Sequence, residues 1–198
     1  LRNTQVYLMT DYITDMITAM LNARLDELGA SADAPYAAAG SYYGGFWAAN
    51  TKDALAIVAL GKDGNITPAL AAVYRELLRA IRGGFTVSEY DRARNEYLSR
   101  IEKFYNNREK TENETYVNNY VRSFIDGTPM MDIATEYEAR TQIANQIPVE
   151  MINMAAQQLV TPDNRVVSIM LPEKDGITLP TEAEVASALA AVDAEDIA

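Results

Sequence analysis

Apolar side chains near the start of the chain recur every three or four residues, the period of an α-helix with one buried face. The pattern runs from Val6 to Leu28, with Thr4 in position to cap the beginning of a helix and Gly29 in position to end it. The sequence therefore predicts a long first helix between Thr4 and Gly29.

Two extended segments follow this helix. Residues 36–48 are rich in alanine, glycine and aromatic side chains, and the pair Gly44-Gly45 favours a bulge or a bend within them. Residues 50–53 are polar, which predicts a turn, and the short apolar run at residues 54–61 predicts a buried strand.

Helices dominate the middle of the chain. Residues 67–82 place their apolar side chains on one helical face, before Gly83-Gly84. Thr86 and Glu89 form a capping-box pattern that begins the next helix. The charged residues 106–114 either separate two helices or bend one. Beyond them the pattern predicts a helix to about Ile125 and shorter helices at residues 131–145 and 148–160.

The C-terminal part contains the run RVVSIML at residues 165–171, which predicts a strand. Beyond Gly176 the chain becomes acidic and rich in alanine, and Thr181 with Glu184 is placed to begin a short helix. We interpret residues 1–176 as one domain, whose first strand is expected upstream of Leu1. Residues 177–198 are interpreted as a tail or an interdomain linker.

The predicted order of elements is two strands, several helices and a final strand. Strands and helices do not alternate regularly, so the pattern favours an α+β fold. We expect a small antiparallel or mixed sheet with helices layered on one face.

Composition narrows the possible chemistry. The chain has 198 residues, a formal net charge of −11, no cysteine and no histidine. The absence of both residues excludes catalytic triads that need histidine, thiol chemistry, disulfides and the usual zinc ligands. The negative charge argues against nucleic acid as a partner. No apolar run is long enough to span a bilayer.

Two groups of side chains remain as candidates for chemistry. Glutamates in the helical region could form an acid/base pair or a metal cluster, but the simpler interpretation is a solvated helix surface; they are Glu109, Glu112, Glu114, Glu136 and Glu138. The aromatic residues around Gly44-Gly45 could line a ligand groove or pack within the sheet; they are Tyr42, Tyr43, Phe46 and Trp47.

Several segments, in this order, resemble the non-catalytic, C-terminal-type domain of the insulinase/pitrilysin family of zinc metallopeptidases. They are MLNARLDEL at 20–28, ELLR at 76–79, GFTVSEYDRAR at 84–94, IPVEMIN at 147–153, NRVV at 164–167 and LPEK at 171–174. The resemblance covers nearly the whole chain. The tail resembles the linker between the two halves of long bacterial members, which implies that this chain is the second domain of such a protein. The resemblance implies the metallohydrolase fold of insulinase and the mitochondrial processing peptidase.

The resemblance also implies a function and a location. In the family, two such domains enclose an unfolded peptide, and zinc is bound by an H-x-x-E-H motif on a different domain. This chain would then form part of the chamber of a zinc metalloendopeptidase, with zinc in the parent protein and no cofactor of its own. Its partners would be other domains of the same polypeptide and an extended peptide substrate, in the periplasm or envelope of a bacterium.

The family's catalytically paired domains carry an arginine and, seven residues later, a tyrosine that reach the active site. Tyr36 matches the tyrosine, but Gly29 stands where the arginine is expected. We therefore expect no catalytic residue in this chain.

Family members hold a peptide by strand addition to the equivalent extended segment. The resemblance implies that the substrate-binding residues are Ala37, Ala38, Ala39, Gly40, Ser41, Tyr42 and Tyr43. The simpler interpretation is that these residues only pair within their own sheet. Two alternatives stay open for the whole chain: a non-enzymatic assembly or peptide-binding subunit of the same fold, and an unrelated α+β scaffold.

Overall fold

A computed structural model describes residues 4–46, 49–62, 64–127, 130–161, 163–173 and 176–197. The helices and strands are α1 (Gln5–Gly29), β1 (Tyr36–Phe46), β2 (Ala49–Gly61), α2 (Ile66–Arg82), α3 (Val87–Asn106), α4 (Asn113–Asp126), α5 (Ile133–Gln146), α6 (Val149–Leu159) and α7 (Glu182–Asp193). A short 3₁₀ helix, Arg108–Lys110, lies between α3 and α4 and confirms the predicted break in that region.

The chain divides into two compact units. The first contains Leu1–Met16 and Thr86–Ile152, and the second contains Ile17–Phe85 and Asn153–Ala198. The division between a domain and a tail at residue 176 stays a prediction. The short helix expected within that tail is confirmed as α7, where the Thr181 hydroxyl accepts a hydrogen bond from the Glu184 amide at 3.3 Å.

The first unit has a core of tyrosines between helices. Tyr12 and Tyr97 pack edge to face with ring centroids 5.0 Å apart. The hydroxyls of Tyr12 and Tyr90 lie 2.8 Å apart, and the Tyr90 hydroxyl donates to the Ile147 carbonyl at 2.5 Å. Each buried hydroxyl therefore has a partner, which is the condition under which a tyrosine can be buried without a large penalty.

The second unit contains an antiparallel hairpin with helical packing on one face. β1 and β2 pair from Ala38 opposite Leu60 to Gly45 opposite Asp53. Ser41 and Tyr36 lie on the face that contacts α1, while Val58 and Leu60 on the other face are 60% and 66% exposed. This arrangement confirms the predicted α+β class and the layering of helices on one face.

Helix α2 packs on β2 and on α7 within the same unit. Tyr74, Leu78 and Val192 form a small buried cluster there. The Tyr74 hydroxyl donates to the Asp193 carboxylate at 2.6 Å, and Arg75 binds Glu195 with two hydrogen bonds of 2.5 and 2.6 Å. The acidic end of the chain is therefore held against basic residues of α2.

Two sequence predictions about the sheet were wrong. Residues 50–53 were predicted as a turn but belong to β2, because the strand extends beyond its apolar part and leaves the side chains of residues 51–53 in solvent. The apolar run 54–61 is a strand as predicted, but it is not fully buried: its alternate side chains point to the exposed face.

Residues 165–171 were predicted as a strand, and the structure shows no strand there. β-Structure requires a neighbouring strand to satisfy its backbone groups. Among the described residues the hairpin contains β1 and β2 alone, and it gives this segment no partner. Val166 and Met170 are accordingly 68% and 89% exposed.

Candidate functional site

The predicted peptide-binding residues all lie on β1. One edge of this strand pairs with β2. The opposite edge has no strand beside it in the part of the chain that the structure describes. A strand edge of this kind presents backbone N–H and C=O groups that can pair with another extended chain. Strand addition requires an unpaired edge of this kind, and the assignment of these residues as peptide-binding stays a prediction.

One position on this open edge is already occupied by a side chain. The Asn22 carboxamide oxygen accepts a hydrogen bond from the Ser41 amide at 2.5 Å, and its nitrogen donates to the Ser41 carbonyl at 3.1 Å. The Ser41 hydroxyl donates to the same carboxamide oxygen at 2.9 Å. Both backbone groups of Ser41 therefore point away from β2 and towards α1.

Tyr36, the positional match to the family's tyrosine, is buried. Its side chain is 1% exposed, and its hydroxyl donates to the Leu25 carbonyl at 2.7 Å. Burial, followed by the nearby Glu76 and Asp26, raises the pKa of Tyr36 above its ordinary value, so the hydroxyl keeps its proton and its role as donor. In this position Tyr36 acts as a structural contact between β1 and α1.

Gly29 is packed against the Tyr36 ring. A β-carbon at position 29 would lie 3.1 Å from the ring atom Cε2. A side chain at position 29 would therefore require the Tyr36 ring to shift by a few tenths of an ångström. That the chain contains no catalytic residue stays a prediction.

The aromatic residues near Gly44-Gly45 do not all share one surface. Tyr42 is 48% exposed and lies on the outer face of the hairpin. Tyr43 is the next residue of the strand and so points to the opposite face. Burial, and then the nearby Asp53, raises the pKa of Tyr43. The two tyrosines therefore cannot line one groove, and Trp47 lies outside the described residues.

The residues present do not fit a zinc site. The chain has no histidine and no cysteine. Among the described residues there is also no group of three histidine, cysteine, aspartate or glutamate side chains that could hold a metal ion. Of the candidate glutamates, Glu136 binds Arg140 at 2.7 Å and the Glu109 side chain is largely exposed. These carboxylates are accounted for as surface or ion-pair groups.

A pocket in the first unit was not anticipated from the sequence. It has a volume of about 250 Å³ and lies between α3 and α5. Tyr105 and Tyr137 stack at 4.6 Å beside it, and Arg108 lies over the Tyr105 ring. The Arg140 guanidinium at its wall is bound to the carboxylates of Asp11 and Glu136, at 2.9 and 2.7 Å. These ion pairs compensate much of its charge, so the pocket gives no clear indication of a ligand.

No helix in the described ranges has both the length and the apolar character required to cross a membrane.

Comparison with solved structures shows that the chain has an insulinase-type fold. It is similar to the crystal structure of the periplasmic protease PqqL from Escherichia coli, with a TM-score of 0.77 and 15% identity, over 98% of this chain and 22% of that one. It is similar to the structure of the first half of the same protease, with a TM-score of 0.69 and 18% identity, over 79% of this chain and 33% of that one.

A predicted insulinase family protease from Yersinia pestis is also similar, with a TM-score of 0.79 and 16% identity, over 96% of this chain and 40% of that one. The chain thus spans less than half the length of each of these structures. It matches no family profile and no curated protein sequence.

Proposed function

We propose that this chain is a non-catalytic, chamber-forming domain of a zinc metalloendopeptidase whose zinc site lies on another domain. The observation that supports this proposal is the fold, which matches part of two insulinase-family proteases over 96% or more of this chain. Zinc peptidases bind their metal through histidine, cysteine and carboxylate side chains and use it to activate water. A chain without histidine or cysteine leaves that chemistry to another domain.

The contribution of this domain would be to hold an extended peptide through the open edge of β1. Backbone hydrogen bonding favours extended chains with little dependence on their side chains, which suits an enzyme that cleaves unfolded peptides. Gly44 and Gly45 carry no side chain, and a β-carbon at either position would meet nothing within 4 Å, so neither residue obstructs an approaching chain at this end of β1.

The proposed partners include other domains of the same polypeptide. Exposed apolar side chains form a stripe along α4, where Tyr120 and Phe124 are 55% and 92% exposed. Contiguous apolar surface of this kind is typical of protein interfaces. Two of the similar structures are of a periplasmic protease, and we extend that location to this chain as part of the proposal.

The peptidase assignment is tested by comparing the isolated chain with the polypeptide that contains it. We expect the 198-residue chain to cleave no quenched fluorescent peptide, with or without added zinc, because it lacks the histidine and cysteine ligands that zinc sites usually need. The complete polypeptide should carry H-x-x-E-H with a downstream glutamate in a preceding domain, and a chelator should abolish its activity. Cleavage by the purified chain, or a gene without this motif, would contradict the proposal. In the second case a peptide-binding assembly role becomes the better one.

The binding role is tested with N-methylated peptides, which leave every side chain unchanged. The probe is a capped octapeptide of alternating valine and threonine with a lysine at each end. Methylating every second backbone nitrogen leaves one edge of the peptide able to pair, so affinity in fluorescence anisotropy should change little. Methylating every nitrogen removes both edges and should weaken binding by at least about tenfold. Equal binding of the two peptides would exclude strand addition.

A further inference from the structure

Asn22 mimics a neighbouring strand at one position of β1. Its carboxamide both accepts from the Ser41 amide and donates to the Ser41 carbonyl, at 2.5 and 3.1 Å. A residue of an added antiparallel strand makes this same pair of bonds with the residue opposite. The third bond, from the Ser41 hydroxyl at 2.9 Å, holds the carboxamide in place.

An added peptide would need the backbone groups that Asn22 already occupies. To pair with Ser41, the peptide would gain two hydrogen bonds and displace three. The Ser41 hydroxyl is also directed towards the Thr18 carbonyl at 3.4 Å, on the helix that carries Asn22. Exchange of the carboxamide for a peptide residue is therefore unfavourable, and Ser41 divides the open edge into two parts.

The two parts differ in length. Backbone orientation alternates along a strand, so the residues that face the same edge as Ser41 are Ala39 on one side and Tyr43 and Gly45 on the other. The pairing of β1 with β2 is regular between Ala38 and Gly45, and its register shifts beyond each of these residues. The side with Tyr43 and Gly45 thus offers the longer regular stretch.

We propose that Asn22 is a specificity-determining residue that stops an added peptide at Ser41 and confines its pairing to Tyr43 and Gly45. This inference rests on the proposed peptide-binding function and narrows it, because the segment first expected to bind runs from Ala37 to Tyr43. The ligand is an extended peptide recognised through its backbone, and the carboxamide sets how far along β1 that peptide can pair.

The test measures amide hydrogen exchange by NMR in the 198-residue chain, with and without the octapeptide described above. In the wild type, the peptide should slow exchange at Tyr43 and Gly45 and leave Ser41 unchanged, because Asn22 already protects it. In Asn22→Ala, the Ser41 amide should exchange faster without peptide. With peptide, it should become protected together with Ala39.

Affinity gives a second readout. Asn22→Ala should bind the octapeptide about tenfold more tightly, as expected for two additional hydrogen bonds. A capped four-residue peptide, which reaches Tyr43 and Gly45 alone, should bind both proteins equally. Asn22→Asp is the graded comparison: its carboxylate still accepts from the Ser41 amide but cannot donate to the Ser41 carbonyl, so its affinity for the octapeptide should lie between those of the wild type and Asn22→Ala. Exchange at Leu78, a buried residue of α2 in the same unit as Asn22, reports whether each variant is folded.

The possible results distinguish a failure of this inference from a failure of the proposed peptide-binding function. Protection of Ser41 by peptide in the wild type, or an unchanged affinity in a folded Asn22→Ala, would refute the stop at Ser41 and leave peptide binding intact. An absence of protection anywhere on β1 in both proteins would overturn the proposed peptide-binding function and this inference with it.

Discussion

Replacing Gly84 with alanine is expected to lower the free energy of unfolding by about 3 kcal/mol. This loss combines the penalty for a left-handed backbone at a residue with a β-carbon and the loss of two hydrogen bonds. Gly84 has a φ of +76°, a conformation that disfavours any residue with a β-carbon. That β-carbon would lie 2.9 Å from Nδ2 of Asn153. Asn153 would have to move, and it binds both the amide and the carbonyl of Phe85, at 2.8 and 3.0 Å.

A second glycine isolates the backbone contribution. Gly64 has a φ of +72°, and a β-carbon there would meet nothing within 4 Å. Gly64→Ala should therefore cost about 1 kcal/mol, the penalty for the left-handed conformation alone. Urea denaturation followed by circular dichroism compares the two variants directly. Equal losses at both positions would show that the contact with Asn153 contributes nothing.

Combining the change with Asn153→Ala tests the proposed cause. Removing the carboxamide costs the two bonds to Phe85, about 2 kcal/mol, but it also removes the group that a β-carbon at position 84 would strike. The double variant should then lose clearly less than the sum of the two single losses. Strict additivity would contradict a steric conflict between the two residues.

The sequence predicted where helix α2 ends, but not which of its two terminal glycines lies against another side chain. Gly83 and Gly84 together indicated the end of the helix, as the structure confirms. Gly83 keeps an ordinary helical φ of −90°, while Gly84 adopts the positive value. Gly84 is the first residue beyond the helix cap, where a left-handed conformation is common. The contact with it is tertiary, because Asn153, far along the chain, binds the next residue, Phe85. Local pattern carries no information about such a partner.

Helices were predicted more reliably than strands for a related reason. The first helix, the two capped helices α3 and α7 and the break before α4 all follow from residues close in sequence, and the structure confirms them. A strand depends on a partner elsewhere. The run at residues 165–171 has strong strand propensity and finds no such partner, whereas the polar residues 50–53 become a strand because β1 pairs with the end of that segment.

The candidate site was predicted only in outline. The extended segment with Ala37 to Tyr43 was located correctly as a strand. Its key neighbour, Asn22, was not identified, because an asparagine on a helix more often faces solvent than the backbone of a strand 19 residues away. Tyr36 likewise matched the family by position, and its orientation towards Leu25 could be known only from the packing of β1 on α1.

In the first unit, Tyr90→Phe is expected to destabilise the fold by about 2–3 kcal/mol, because two buried groups lose their partner. The Tyr90 hydroxyl donates its one proton to the Ile147 carbonyl at 2.5 Å, so it must accept from Tyr12, whose hydroxyl is 2.8 Å away. Burial, and then the contact with Tyr90, raises the pKa of Tyr12, so Tyr12 remains a donor. Removing the central hydroxyl leaves a buried donor and a buried acceptor unsatisfied.

Tyr12→Phe is the matched comparison, and the direction of the hydrogen bonds makes the two changes unequal. This variant leaves Tyr90 bound to Ile147 and removes only one bond that Tyr90 accepts, so the loss should be about 1 kcal/mol. Both variants keep the packing of the aromatic ring at position 12 against Tyr97. The double variant should be no less stable than Tyr90→Phe alone. It removes the Tyr12 hydroxyl, which Tyr90→Phe leaves as a buried donor without an acceptor. A larger loss for Tyr12→Phe than for Tyr90→Phe in urea denaturation would contradict this arrangement, in which the Tyr90 hydroxyl has two partners and the Tyr12 hydroxyl has one.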